Sequence, residues 1–213
     1  MSFVTSDFIM DWRQAYTVLE QCLTWKEGPF VGSQGIVEAE VTKILLYCGY
    51  DPTQQDGLLL EACLSSCVES VRLLLEDGRC NPNKQRIPNQ VVSLVSIELL
   101  EAILEDARID PTEWQESLYT SIIRADPDTL QRLLQDPRCD IHRVASRYHL
   151  IREVIYHCHT IHNLDNIFRT VTLIVNSGVK VENEDLIFSQ KRDRFGLVSD
   201  FLALQLILQE KLD

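Results

Sequence analysis

The residues with the widest chemical range crowd into one stretch. Between Cys139 and Val179 lie all five histidines, His142, His149, His157, His159 and His162, with Cys158 among them in "YHCHTIH". On a helix, Cys158 and His162 would share a face at i,i+4, and His159 and His162 at i,i+3. Imidazole and thiolate become zinc ligands when three or four converge tetrahedrally. A cysteine near a histidine is also the minimal pair for nucleophilic catalysis, the imidazole taking the thiol proton. Against both stand the neighbours His157 and Cys158, which diverge on a helix, and the lack of a second ligand pair or a Cys-x-x-Cys. An inserted turn or extended helix rich in histidine is the simpler expectation. A small enzyme or metal-binding site here is the alternative. Histidine titrates near neutrality, so a pH-sensitive or partner-reading face is a further option.

A second stretch raises the same question. In "LLLEDGRCNPN", Leu73–Asn83, a cysteine stands beside an acid and an arginine. The chain repeats it as "AILEDARIDPT" at Ala102–Thr112 and "RLLQDPRCDIH" at Arg132–His142. Aligned on the apolar residue before the Asp or Asn, the series runs Tyr50, Cys80, Ile109, Cys139 and Val179, at spacings of 30, 29, 30 and 40. Lys180 replaces the acid in the last copy. An apolar pair precedes each: Leu45/Leu46, Leu74/Leu75, Ile103/Leu104, Leu133/Leu134 and Ile174/Val175. A cysteine that alternates with Tyr, Ile and Val is a small core residue, not a reactive one.

These recurrences require positioning elements, and self-similarity near one period is the mark of stacked repeats. Leu59, Ala62 and Cys63, then Val71, Leu74 and Leu75, recur at helical spacing, with "LSSCVES" breaking the stripe between them. Two short helices joined by a turn are therefore predicted for each unit. In the fourth unit "ADPD" is the break, where Asp126 can N-cap the second helix and Pro127 can occupy its first turn. The third unit, "PNQVVSLVSIELLEAILED", leaves little room for its turn. Gly78 and Pro137 punctuate the helix ends. Asp51, Asn81, Asp110 and Asp140 suit the following reversal, because a short side-chain oxygen can accept from backbone N–H groups two residues on.

Composition narrows the classes. Hydrophobic content of 45% with 24% charged residues suits a folded chain, and the eight glycines and seven prolines are too few for many tight β-turns. A net charge of −12 opposes phosphate-backbone binding, the basic stretch Arg138 to Arg152 excepted. No apolar run is long enough for a membrane span. Seven cysteines without a secretion signal point to a reducing compartment, cytoplasmic or nuclear. There is no glycine-rich phosphate loop, His-Glu-x-x-His or Gly-x-Ser-x-Gly, and no cofactor is implied.

A unit of about 30 residues, two short helices and a turn ending "LL-E-D-x-R-x-D/N-P", resembles the ankyrin repeat, closest to its divergent form in large DNA viruses and protists. The resemblance covers about Gly28 to Asn183. The family's Thr-Pro-Leu-His opening is absent. Leu59 and Ala62, with Leu118 and Ser121, keep its leucine and small residue. Ser66, Val95 and Ala125 stand where the family has glycine between the helices. The resemblance implies an all-α, helical-pair solenoid of about five to six units. Residues 1–27 ("DFIMDWRQAYTVLEQCLTW" above all) would cap one end and 184–213 the other, with a His-rich insertion near 150–165. "EDLIFSQKRDRF", Glu184–Phe195, reads as a solvated segment. The implied function is non-enzymatic: an adaptor binding another protein, in viral cases a host factor. First-helix positions Glu61, Ser65, Gln90, Thr120 and Arg124 would contact it, with turn tips Asp77, Arg79, Asp106, Arg108, Asp136 and Arg138. Acid and arginine of successive turns would pair between repeats. The apolar C-terminal helix could join a second copy. Elemental analysis of purified protein should find no stoichiometric zinc; one zinc per chain would return the histidine cluster to metal chemistry.

Overall fold

A computed structural model of the chain describes residues 34–47, 49, 51–54, 58–94, 96–157, 164–192 and 196–211. The expected capping helix over 1–27 lies outside them, as do Tyr50, Val95, Cys158, His159 and His162. Among the described residues twelve α-helices follow in order: α1 (Gln34–Tyr47), α2 (Leu58–Leu64), α3 (Val68–Glu76), α4 (Ile87–Leu94), α5 (Ile97–Leu104) and α6 (Pro111–Ile123), then α7 (Pro127–Leu134), α8 (Ile141–Ala145), α9 (Leu150–His157), α10 (Leu164–Asn176), α11 (Asn183–Arg192) and α12 (Leu197–Glu210). No strand occurs among the described residues, so the fold class is all-α.

The helices form where the apolar stripe predicts them. The leading residue of every apolar pair is buried: Leu45, Leu74, Ile103, Leu133 and Ile174. Burying each such side chain stabilises the fold by about 2 kcal/mol. Leu59, Ala62, Leu118 and Ser121, the positions shared with the ankyrin opening, are buried as well. Two α-helices start at an Asp followed by Pro. The Asp110 side chain accepts from the Thr112 N–H at the start of α6, and Asp126 accepts from the Thr129 N–H at the start of α7. Each carboxylate satisfies a donor that the first helical turn leaves unpaired.

The chain divides into two compact units, Met1–Ile87 with Glu98–Ile109, and Pro88–Ile97 with Asp110–Asp213. In the first, α3 packs on both α1 and α2. The α1–α3 contact carries a polar seam, the Thr42 hydroxyl donating to Ser70 Oγ at 3.3 Å and the Cys67 thiol donating to the same oxygen at 3.0 Å. In the second, α6 pairs with α7, α9 with α10 and α11 with α12. Helix α9 lies against both α6 and α11, while α10 lies against both α7 and α12. Small buried hydroxyls let these helices approach. Ser117 and Ser121 each turn back to a carbonyl of their own helix, and Ser189 of α11 meets Ser199 of α12 at 3.0 Å.

Two expectations need refinement. Glu184–Phe195, read as a solvated segment, is helical over Asn183–Arg192 (α11), with Asn183, Glu184, Ile187, Gln190 and Lys191 exposed but Asp185 and Ser189 buried. The burial escapes a hydropathy reading because both residues are polar. Asp185 Oδ1 accepts from Arg152 Nε at 2.9 Å, while its other oxygen accepts from the Glu182 N–H at 2.9 Å. The extra length after Cys139 is also not confined to residues near 150–165. A short helix, α8, precedes α9, and α10 has 13 residues where α7 has 8.

The turns inside two helical pairs explain the missing glycines. Ser66 has φ +57° and Ala125 φ +47°, both in the left-handed region. At each, the helix closes in a paired reversal. Cys67 N–H donates to Ala62 O and Ser66 N–H to Cys63 O; likewise Asp126 N–H donates to Ser121 O and Ala125 N–H to Ile122 O. This reversal requires a left-handed residue, for which glycine is the usual choice. A side chain with a Cβ is strained there by about 1 kcal/mol. Ser66→Gly should therefore stabilise the protein by about 1 kcal/mol, because Ser66 is exposed and loses no packing. Ala125→Gly should gain less, since the Ala125 methyl is buried. Denaturant unfolding of both variants measures the order; a destabilised Ser66→Gly would contradict it.

Candidate interaction surface

The repeated turn supplies most of the residues nominated for contact. Asp51, Asn81, Asp110 and Asp140 each accept from the backbone N–H two residues on, at 2.9, 3.0, 2.8 and 2.9 Å. Asp51 and Asp110 also take a threonine hydroxyl, from Thr53 and Thr112. These bonds hold both carboxyls below the usual aspartate range, the backbone N–H contributing most. They are turn formers, as their type and position predict.

The Asp-x-Arg sequence closes on itself. Arg79 grips Asp77 with Nε and Nη2 at 2.6 and 2.7 Å. Arg108 and Asp106 form the same pair, with Arg108 Nη2 donating to Asp106 Oδ2 at 2.5 Å, and Arg138 Nη2 meets Asp136 Oδ2 at 2.8 Å. Each of these pairs closes inside its own turn, where the spacing suggested pairing between turns. Two residues of separation suffice for a guanidinium fork to embrace a carboxylate. The arginine holds the Asp77 and Asp136 carboxyls below their ordinary value.

Arg108 does more than its counterpart Arg79. Its Nη1 donates to Gly78 O at 2.6 Å and Cys80 O at 3.0 Å, and its Nη2 donates to Leu75 O at 2.9 Å. One cation thereby donates to Leu75 O in the last turn of α3 and to two carbonyls just beyond it, where the helix dipole favours positive charge. The Asn83 side-chain amide returns a bond to Arg108 O at 2.9 Å. Arg138 lies over the ring of Trp114, 5.5 Å from its centre. Arg108 is thus a fastening of the fold as much as a surface group.

Cys80 and Cys139 sit beneath these turns, both buried. Burial pushes the Cys80 thiol up to about 11 and the Cys139 thiol to about 12. Cys63 is raised to about 12 by the same cause. Thiols kept protonated are poor nucleophiles and poor metal ligands. The described histidines are dispersed. His142 lies beside Gly178, His149 against Arg152, and His157 Nε2 is 3.3 Å from Glu153 Oε2. Among the described residues no three His, Cys, Asp or Glu side chains gather as a metal site requires.

The first-helix nominees are scattered in character. Glu61 and Ser65 are half-buried, while Gln90 and Arg124 are exposed. Thr120 donates its hydroxyl to Asn89 Oδ1 at 2.6 Å. Thr120 borders a groove of about 250 Å³ in the second unit, walled by α6 on one side and by α8 with the turn after it on the other. Tyr119 of α6 and Tyr148 stack there, ring centres 4.2 Å apart and planes 25° from parallel. The Tyr119 hydroxyl donates to Glu153 Oε2 at 3.2 Å, and burial, then Glu153, raises its proton affinity. Arg143 and Arg147 complete the outer rim. Sequence reasoning named none of these four, although the basic stretch Arg138 to Arg152 contains three of them.

No protein-family model matches the chain, and no curated protein or solved structure matches it either. Among the described residues no helix is long and apolar enough to cross a membrane.

The two arginines separate structure from surface. Arg108→Ala strands carbonyl oxygens and should cost about 2 kcal/mol. Arg79→Ala removes an exposed pair and should cost under about 1 kcal/mol. Equal losses in thermal or urea unfolding would contradict the assignment of Arg108 to the α3 end.

Proposed function

We propose that the chain is a non-enzymatic interaction module of ankyrin-like helical pairs, acting as an adaptor that binds another protein through its repeat surface. The observation that carries this reading is the order of packing in the second unit. Three helical pairs follow one another there, first helices against first helices and second against second. Such an array presents a continuous face of first helices and turns, suited to a protein partner. The recurrence of the same turn chemistry at Asp51, Asn81, Asp110 and Asp140 supports one repeated unit rather than unrelated helices. The buried, protonated thiols favour packing over catalysis for Cys63, Cys80 and Cys139.

A partner is best sought by affinity capture with mass spectrometry, followed by reconstitution. At least one captured protein should bind the purified chain directly, with one-to-one stoichiometry by calorimetry. If none does, the adaptor reading falls. Charge reversal at Arg108 is unsuitable as a binding test because it attacks the α3 end. Gln90 and Arg124, both exposed, are cleaner probes.

A further inference from the structure

We infer that the groove between α6 and α8 docks an acidic peptide segment of the partner, anchored by an aromatic or large apolar side chain. The inference rests on the adaptor reading and specifies its contact. Four features of the groove carry it.

Its cations are exposed. Arg143 and Arg147 make no ion pair among the described residues, although Arg143 helps to lower the Asp110 carboxyl. By contrast Arg72, Arg79, Arg108, Arg138, Arg152 and Arg169 are all engaged by carboxylates. In a chain of net charge −12, two exposed guanidiniums on one rim outnumber Glu116, the one carboxylate in the groove lining. At physiological salt the Debye length is about 8 Å, so this patch, not the remote acidic surface, sets the field at the groove. Guanidinium forks match carboxylates in geometry as well as charge.

Its wall is aromatic and fixed. The Tyr119–Tyr148 stack leaves Tyr148 41% exposed while holding its ring in place. A pre-oriented ring offers contact area at little entropic cost. Its lining includes Gln115, whose Oε1 is enclosed without a hydrogen-bond partner. Its size fits a side chain. A volume of about 250 Å³ lies below the roughly 300–1,000 Å³ typical of small-molecule sites.

Tyrosine and arginine also suit single-stranded RNA. A polyanion with a phosphate at every nucleotide is disfavoured by a chain of net charge −12, whereas a short acidic segment need meet only Arg143 and Arg147. The peptide is therefore favoured.

The test pans a displayed library of random peptides, about a dozen residues long, against the full chain. Selected peptides are resynthesised with a fluorophore and titrated by anisotropy. Selected sequences should combine Asp or Glu with an aromatic or large apolar residue. Their affinity should fall by about tenfold or more in Arg143→Glu/Arg147→Glu and in Tyr148→Ala. The Arg143→Lys/Arg147→Lys chain should recover part of it, and binding should weaken with added salt. Circular dichroism checks folding, and exposed Arg147→Glu alone replaces the double variant should that unfold. The inference is overturned by a selection without acidic bias, by no selected binder, or by affinity unchanged in the rim variants. Tighter, rim-dependent binding of a labelled single-stranded RNA would also overturn it, assigning the groove to nucleic acid. A captured protein that binds directly yet ignores the rim variants would sink the groove and leave the adaptor reading standing.

Discussion

A helix cannot end without stranding its last carbonyl oxygens, and disposal of those oxygens shapes every repeated turn in this chain. In the first and fifth turns a glycine stands just before the apolar position, Gly49 at φ +84° and Gly178 at φ +86°. Their N–H groups reach back to Leu46 O and Val175 O. In the three turns between, that place belongs to Arg79, Arg108 and Arg138. The chain there uses an Asp-to-Arg clasp, and at Arg108 the guanidinium reaches Leu75 O of α3 and Gly78 O just beyond it. The second turn combines both devices: Gly78, at φ +80°, donates its N–H to Leu75 O as Gly49 and Gly178 do to Leu46 and Val175, and Arg108 adds donors from outside the turn.

The clasp also accounts for what first looked like chemistry. A cysteine between an arginine and an asparagine has the composition of an activated thiol. The guanidinium that would lower its proton affinity is engaged by Asp77, and burial raises the thiol instead. Desolvation outweighs the neighbouring cation because the sulfur faces the core while the charge faces water. The same ordering holds at Cys139. Position relative to the core, not neighbours in sequence, decides reactivity.

What could be read from the sequence was periodic. The apolar pairs, the Asx turns, the Asp126 cap and the small residues Ala62 and Ser121 were legible, because each follows from a spacing set by helix geometry or by a turn. The partner of each Asp-x-Arg was not legible, since a charge pattern does not say whether a side chain folds inward or reaches across. The left-handed Ser66 and Ala125 were visible only as absent glycines. The buried positions of helix α11 were not legible because they are Asp185 and Ser189, whose polar groups are satisfied by Arg152, the Glu182 N–H and Ser199. A hydropathy stripe cannot report burial that hydrogen bonds support.

The groove was least legible of all, for a related reason. It arises where the repeat spacing is longest: α8 follows the Asp140 turn as short helical turns follow Asp51 and Asn81, and its Ile141 and Val144 are buried while Arg143 and Arg147 are left outward. A repeating turn consumes its own charges, each Asp answered by its Arg within two residues. Arg143 and Arg147 have no such Asp two residues before them. These cations stay available, and the aromatic that follows them, Tyr148, finds a neighbour on α6 rather than within its own turn. The regular part of the chain therefore supplies rigidity, and the departure from regularity supplies the groups free to meet something else. The same division explains why counting repeats found the scaffold and passed over the groove. Exceptions to a period carry no periodic signal.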